Sequence, residues 1–167
     1  MSPRAAWRLE RLGFNDVYDF VPGKVAWLAM GWPREGTAAA IPNAGEVARR
    51  RTPTCSLEDR IGDVRDKVLE AGRHVCIVVN EKGIVEGRLR RRALEENPGA
   101  TAEDAMEIGP TTIRPSEPLE PLVGRMRRRG VATIVVSDLK GRLVGILYRE
   151  DVERALEAAR RSAGASP

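Results

Sequence analysis

The sequence predicts a mixed α/β (α+β) fold made of two copies of one small strand-helix-strand-strand-helix unit. Three observations lead there. Cys76-Ile77-Val78-Val79-Asn80 can be laid over Thr133-Ile134-Val135-Val136-Ser137, about 57 residues further on, the mark of an internal repeat. Upstream of each string a helical apolar face ends at a glycine: Leu57, Ile61, Val64 and Val68 before Gly72, then Leu119, Leu122, Val123 and Met126 before Gly130. Downstream, the turn sequences Asn80-Glu81-Lys82-Gly83 and Asp138-Leu139-Lys140-Gly141 lead into second apolar segments, so each copy carries a hairpin. Neither copy could cover both faces of so small a sheet, and the two are expected to pack together with approximate twofold symmetry.

Taken in order, the chain opens on a helix signature. Ser2 can cap, Pro3 suits the first helical position, Ala5, Leu9 and Leu12 share a face, and Gly13 suits the end. Asp16 to Val21 reads as a strand and Gly23 to Met30 as a second helix stopped by Gly31 and Pro33, giving a helix-strand-helix segment over 1–36. The stretch 37–53, rich in Ala, Pro, Gly and Arg without a clear period, reads as a linker. The first repeat spans 54–98: Thr54-Cys55 as leading strand, a capping-box start at Ser56 to Asp59, strands around Cys76 to Val79 and Ile84 to Leu89, and a helix over Arg91 to Glu96. The second spans 99–160, with Thr111 to Ile113 leading, Ser116 as cap, Arg142 to Tyr148 as second strand, and a helix over Glu150 to Arg160 before a flexible tail, 161–167.

With 42% hydrophobic and 31% charged residues the chain should form a packed core. Lys and Arg outnumber Asp and Glu by 28 to 24, a balance that admits an anionic ligand without demanding nucleic acid. Cys55 and Cys76 lack metal-site spacing and His74 stands alone, so no metal is expected. The start lacks the apolar region of a signal peptide and no run is long enough to span a bilayer, which predicts a cytoplasmic, reducing setting with both thiols free. No enzymatic activity is expected. The acidic residues after Cys55 oppose its use as a nucleophile, and neither a glycine-rich phosphate loop nor a Ser/His/Asp arrangement occurs.

Several strings carry a family resemblance: Thr101-Ala102-Glu103-Asp104-Ala105-Met106, Thr112-Ile113-Arg114-Pro115-Ser116, the Ile-Val-Val segments, and Gly145-Ile146-Leu147-Tyr148-Arg149-Glu150-Asp151-Val152. Their order and spacing over Thr54 to about Ala159 resemble a tandem pair of cystathionine β-synthase (CBS) domains. That resemblance implies a non-catalytic regulatory module, commonly a homodimer, that senses an adenosyl ligand such as AMP, ADP, ATP or S-adenosylmethionine, with no cofactor required. In that family an Asp at the start of the last helix holds the ribose diol, with Ser or Thr three residues earlier. Here the Asp position is Asp151 and the hydroxyl position is Tyr148; in the first copy the same positions are Arg90 and Ala93. The resemblance therefore implies that the first site is lost, that the second is half preserved, and that the candidate nucleotide site lies in the cleft near Asp151. Thr112, Ile113, Val131, Ala132 and Ile146 would surround a base, His74 would face phosphates, and Arg90 should face the cleft. As strand residues, Thr112, Ile113, Val131 and Ala132 need no ligand to explain them, and core packing is the favoured reading. Asp151 can equally serve the helix dipole, and the Arg runs at 88–92 and 125–129 a solvated face. The other function classes are an interaction scaffold with decayed sites serving an unknown regulated partner, and a nucleic-acid accessory.

The stretch Arg4-Ala5-Ala6-Trp7-Arg8-Leu9, through Val17-Tyr18-Asp19-Phe20 to Gly23-Lys24 and Trp27-Leu28, is similar to the closing part of a rhodanese domain. Only that domain's end is matched, so the resemblance implies no sulfurtransferase loop. Trp7, Leu9, Leu12, Phe14, Tyr18, Phe20, Val25, Trp27 and Leu28 make more apolar surface than so short a segment can bury, so it is expected to find cover on the paired repeats, on a second subunit of a homodimer, or on both.

Overall fold

The computed structural model describes residues 3–35 and 41–164. Its elements run α1 (Pro3–Arg11), α2 (Gly23–Ala29), α3 (Ala44–Val47), β1 (Thr54–Cys55), α4 (Ile61–Glu70), β2 (Val75–Val79), β3 (Val85–Arg90) and α5 (Arg91–Glu96). They continue α6 (Ala102–Ala105), β4 (Glu107–Ile108), β5 (Thr112–Ile113), α7 (Leu119–Arg128), β6 (Thr133–Ser137), β7 (Leu143–Tyr148) and α8 (Arg149–Gly164). Strands β1 to β4 form one sheet in that order and β5-β6-β7 the other. In each, a short leading strand lies parallel to the first hairpin strand and the hairpin closes antiparallel. The mixed α+β class and the paired repeats are those the sequence predicts.

The repeat is offset by 58 residues, one more than the Ile-Val-Val strings suggest. Thr54 pairs with Ile77 as Thr112 pairs with Val135, and the strand irregularity after Val78 recurs after Val136. One residue matters because side chains alternate across a sheet, so a slip by one exchanges its faces. With the correct offset Ile77 and Val135 are twofold equivalents and meet, together with Ile146, in an apolar layer between the sheets. Their complete burial contributes on the order of 1.5–3 kcal/mol per side chain. The hairpin tips also touch, through the Ile84–Arg142 bridge, with Val85 N–H donating to the Gly141 carbonyl and Leu143 N–H to that of Gly83. Asn80 and Asp138 each accept two backbone N–H groups within their turns, and Gly83 and Gly141 supply the positive φ that closes them.

Two further cores lie under the outer faces. Ile61, Val64 and Val68 of α4 pack with Val78, Leu89 and Leu94; Leu119, Leu122, Val123 and Met126 of α7 pack with Val136, Leu147 and Val152. Helices α4 and α7 begin after Arg60 and Pro118, later than the caps expected at Ser56 and Ser116. The Ser56–Asp59 carboxylate contact instead closes a turn ahead of the helix.

The segment leading into each repeat packs on the other repeat. Helix α6 precedes β5 yet buries Ala102 in the first core, and β4 extends the first sheet by pairing with β3. Helix α3 precedes β1 yet buries Ala44 and Ala48 in the second core, and Arg49 bridges to Ile146 of β7. Both helices carry a reciprocal capping box, Asn43 with Glu46 and Thr101 with Asp104. The stretch read as a linker over 37–53 is therefore, from Asn43 onward, part of the second core. Its alanines and glycine are small because they approach backbone closely: a Cβ on Gly45 would stand 2.6 Å from the Leu28 carbonyl oxygen. By the same exchange, Ala102 to Ile108 belong with the first sheet although the sequence assigns them to the second repeat.

Two other expectations change. Asp16 to Val21 forms no strand, because no neighbouring segment offers it a hydrogen-bonding edge among the described residues. The C-terminal helix continues through 161–164, where a flexible tail was expected, and 165–167 lie outside the described residues. At the other end α1 buries none of its residues, while Trp27 meets Phe20 and Trp32 edge to face and Phe20 and Trp32 are tilted against each other, with centroids 4.8–5.5 Å apart. Of the apolar residues in this segment Leu28 is buried, whereas Trp7, Leu12, Phe14 and Tyr18 remain exposed.

Candidate functional site

The twofold axis leaves two clefts between the repeats. The first, about 530 Å³, has Thr112 and Ile113 of β5, Val131 from the turn after α7, and Thr133 on one wall. Arg88 and Arg90, two apart on β3 and so on one face of it, form the opposite wall with Glu107. Arg114, Arg125 and Arg129 complete the rim, facing Glu117.

Arg88 is the unusual member, a cation with its side chain only 7% exposed. Such a charge needs an anion, and Glu107, its register partner on β4, supplies both carboxylate oxygens at 2.9 Å. Glu107 also accepts from Arg90 Nε at 3.0 Å. Burial pushes the Glu107 carboxyl up, but the hydrogen bonds and charges of Arg88 and Arg90 outweigh it and hold the group below its ordinary range. Arg125 is paired with Glu117, and Arg114 donates to the carbonyls of Ser137 and Asp138.

The second cleft, about 510 Å³, is lined by Arg49, Arg73, His74, Ala132, Tyr148, Arg149, Glu150 and Glu153. Here Tyr148 takes the place of Arg90, and Arg49 the place of Glu107, under the 58-residue offset. Arg49 grips Asp151 through Nε at 2.6 Å and Nη2 at 3.0 Å, reaches Glu150 at 2.9 Å, and lies over the Tyr148 ring at 4.3 Å. Asp151 is 13% exposed and paired with Arg154 as well. The hydrogen bond from Arg49 is the main reason its carboxyl sits below the usual range, against the opposing effect of burial. Arg49 is correspondingly pushed up, first by that same hydrogen bond.

The residues singled out in the sequence are thus divided. Thr112, Ile113, Val131 and Arg90 share the first cleft; His74, Ala132 and Tyr148 share the second. Asp151 lies beside Tyr148 but lines only a shallow recess with Arg49 and Arg154. Ile146, 2% exposed, belongs to the central apolar layer and lines neither cleft. Arg88 was expected only as a member of an arginine run, and Arg49 and Glu107 were not among the expected site residues. The signal that could have found them is the repeated capping box, which places Arg49 and Glu107 at equivalent positions after Asn43-Ala44-Gly45-Glu46 and Thr101-Ala102-Glu103-Asp104. No group of three or more metal-ligating side chains occurs among the described residues.

Residues 102–158 match the CBS domain family. The two-repeat part of the fold superposes on solved CBS structures, among them CBSX2 in complex with AMP: 19% identity, 72% of this chain and 99% of that one, TM-score 0.64. The chain folds as a tandem CBS domain pair. The cytosolic domain of the Mg2+ channel MgtE, solved in complex with ATP, is similar over 70% of this chain and 50% of its own, at 23% identity and TM-score 0.63. A CBS domain pair solved with 5′-methylthioadenosine and S-adenosyl-L-methionine matches over 71% of this chain and 98% of its own, at 20% identity and TM-score 0.62. A curated relative, the L-aspartate semialdehyde sulfurtransferase of Methanosarcina acetivorans, is 27% identical over 133 residues, which span 74% of this chain and 27% of that protein. No helix among the described residues is long and apolar enough to cross a membrane.

Proposed function

We propose that this CBS pair is a non-catalytic regulatory module that senses an adenosyl-type nucleotide in the first cleft. The observation that carries the reading is the cleft itself: a volume within the range of small-molecule sites, Thr112, Ile113 and Val131 offering backbone groups and apolar contact to a base, and arginines opposite for phosphate. The second cleft is the weaker candidate because Arg49 already occupies Asp151, the carboxylate that would hold a ribose. Binding in the first cleft would join the end of β3 in one repeat to β5 and β6 in the other. A ligand that prefers one arrangement of the repeats then shifts the pair toward it and changes its affinity for a regulated partner protein.

The exposed aromatic residues of the N-terminal segment support assembly as a homodimer, and the sulfurtransferase name of the curated relative supports reading that segment as the end of a rhodanese-like domain. A cytoplasmic setting accords with two free, buried cysteines. The test is thermal melting with AMP, ADP, ATP and S-adenosylmethionine, followed by calorimetry. A ligand at one hundred times its Kd should stabilise the protein by about 2.7 kcal/mol, and Thr112→Trp, which fills the cleft, should abolish the effect. If none of these compounds shifts the melt the sensor reading fails, and an interaction scaffold becomes the better account.

A further inference from the structure

We propose that Glu107 is an internal stand-in for a ligand phosphate, so that the first cleft selects polyphosphorylated nucleotides over uncharged nucleosides and over S-adenosylmethionine. The inference rests on reading that cleft as a nucleotide site and adds its selectivity. Arg88 is a buried cation at the wall of an open cleft, and the anion that neutralises it comes from a lightly held element. Glu107 itself is 47% exposed, its strand β4 is two residues long, and the next side chain, Ile108, is 78% exposed before the chain turns at Gly109. Displacing this carboxylate therefore disturbs little apolar packing.

A phosphate is the natural replacement. Glu107 brings two oxygens and one charge to Arg88 and Arg90, whereas a terminal phosphate brings three oxygens and more charge to the same two guanidinium groups. The surroundings favour the exchange. Five arginines, 88, 90, 114, 125 and 129, line the cleft against two glutamates, 107 and 117, and Arg129 makes no ion pair among the described residues. S-adenosylmethionine carries a sulfonium and an ammonium group, which this field repels. The twofold-related position has the opposite polarity. There Arg49 is the internal group and Asp151 the residue it occupies, so a phosphate has no latch to displace.

The test is calorimetry on the full chain at low ionic strength with adenosine, AMP, ADP, ATP, S-adenosylmethionine and inorganic tripolyphosphate. Affinity should climb from AMP to ATP by about tenfold, and added salt should erase the climb. Glu107→Gln, which removes the competing charge but keeps the shape, should tighten ATP by about tenfold and leave adenosine within about twofold. Arg90→Ala, at a largely exposed side chain, should weaken ATP by about tenfold, which keeps the idea testable if the Glu107 variant folds poorly. Equal affinity for adenosine and ATP, tightest binding of S-adenosylmethionine, or an ATP affinity indifferent to Glu107→Gln would overturn the phosphate latch while leaving a nucleotide site in place. Failure of all six compounds to bind would remove the site and the latch together.

Discussion

Replacing Arg49 with alanine tests the second cleft most directly. The substitution removes two hydrogen bonds to Asp151, one to Glu150 and the stacking on Tyr148, while the backbone bridge between residues 49 and 146 can remain. Leaving a fully buried carboxylate unpaired costs about 3–5 kcal/mol. Asp151 keeps Arg154 and some solvent, so about half of that is expected, and the lost stacking adds about 0.5 kcal/mol. The sum, about 2–3 kcal/mol, corresponds to a fall in Tm of about 4–12 °C for a chain of this size. Urea unfolding of wild type and variant, followed by circular dichroism, measures it. The effect should also titrate. Because Arg49 depresses the Asp151 carboxyl, the pair's contribution is complete above the unfolded carboxylate range, about pH 4, and is lost as pH falls through the lower folded value. The gap between the two proteins should therefore narrow toward acid. A gap below about 0.5 kcal/mol at pH 7, the level of an ordinary surface change, would refute the view that Arg49 holds this side of the pair closed.

Other outcomes follow from the same geometry. Asp151→Ala should leave nucleotide affinity within about twofold by calorimetry, since the carboxylate is spent on Arg49; a loss of about tenfold or more would move the ligand to the second cleft. A Cβ on Gly145 would stand 2.5 Å from the Arg49 carbonyl oxygen, whereas one on Gly87 meets the flexible Met106 side chain, so Gly145→Ala should cost about 2–3 kcal/mol and Gly87→Ala about 1 in chemical denaturation. Cys55 and Cys76 are both buried, and contact with Cys55 together with burial pushes the Cys76 thiol well up; a thiol reagent at pH 8 should label Cys76 no faster than the protein unfolds. Deleting residues 1–36 should turn a dimer into a monomer by light scattering if the exposed aromatic segment builds a homodimer, and an equally stable, equally dimeric remainder would count against that role.

The parts of the fold legible in the sequence are those written in local periodicity. The apolar faces of α4 and α7 and the turns at Asn80 and Asp138 each announce themselves within a dozen residues. The offset of the repeat was misjudged by one because Ile-Val-Val matches Ile-Val-Val whichever residues pair, and only the partners Thr54–Ile77 and Thr112–Val135 fix the register. The exchanged segments were illegible for a deeper reason. Ala44 and Ala48 are small and sparse, like a linker, because they fit against a core made of residues from Leu119 to Leu156, and Gly45 because it is wedged between Leu28 and Pro115. The site shared this fate: Thr112, Val131 and Arg90 follow from family pattern, whereas for Arg49 and Glu107 the repeated capping box marks only their equivalence and not the distant partners through which they act.

That exchange also governs the order in which the protein can be completed during synthesis. Helix α3 leaves the ribosome long before β7, so its alanines must wait for the second core, and the first core stays unfinished until Ala102 has emerged and its sheet until β4 has. Contacts of such long sequence separation slow folding and leave apolar surface open in the meantime. A nascent chain stopped between the repeats would present an uncovered α3 and an open edge on β3. In a polysome, where neighbouring chains are at different stages, the missing piece could be taken from another copy, so the same geometry that knits the repeats together offers a route to swapped assemblies.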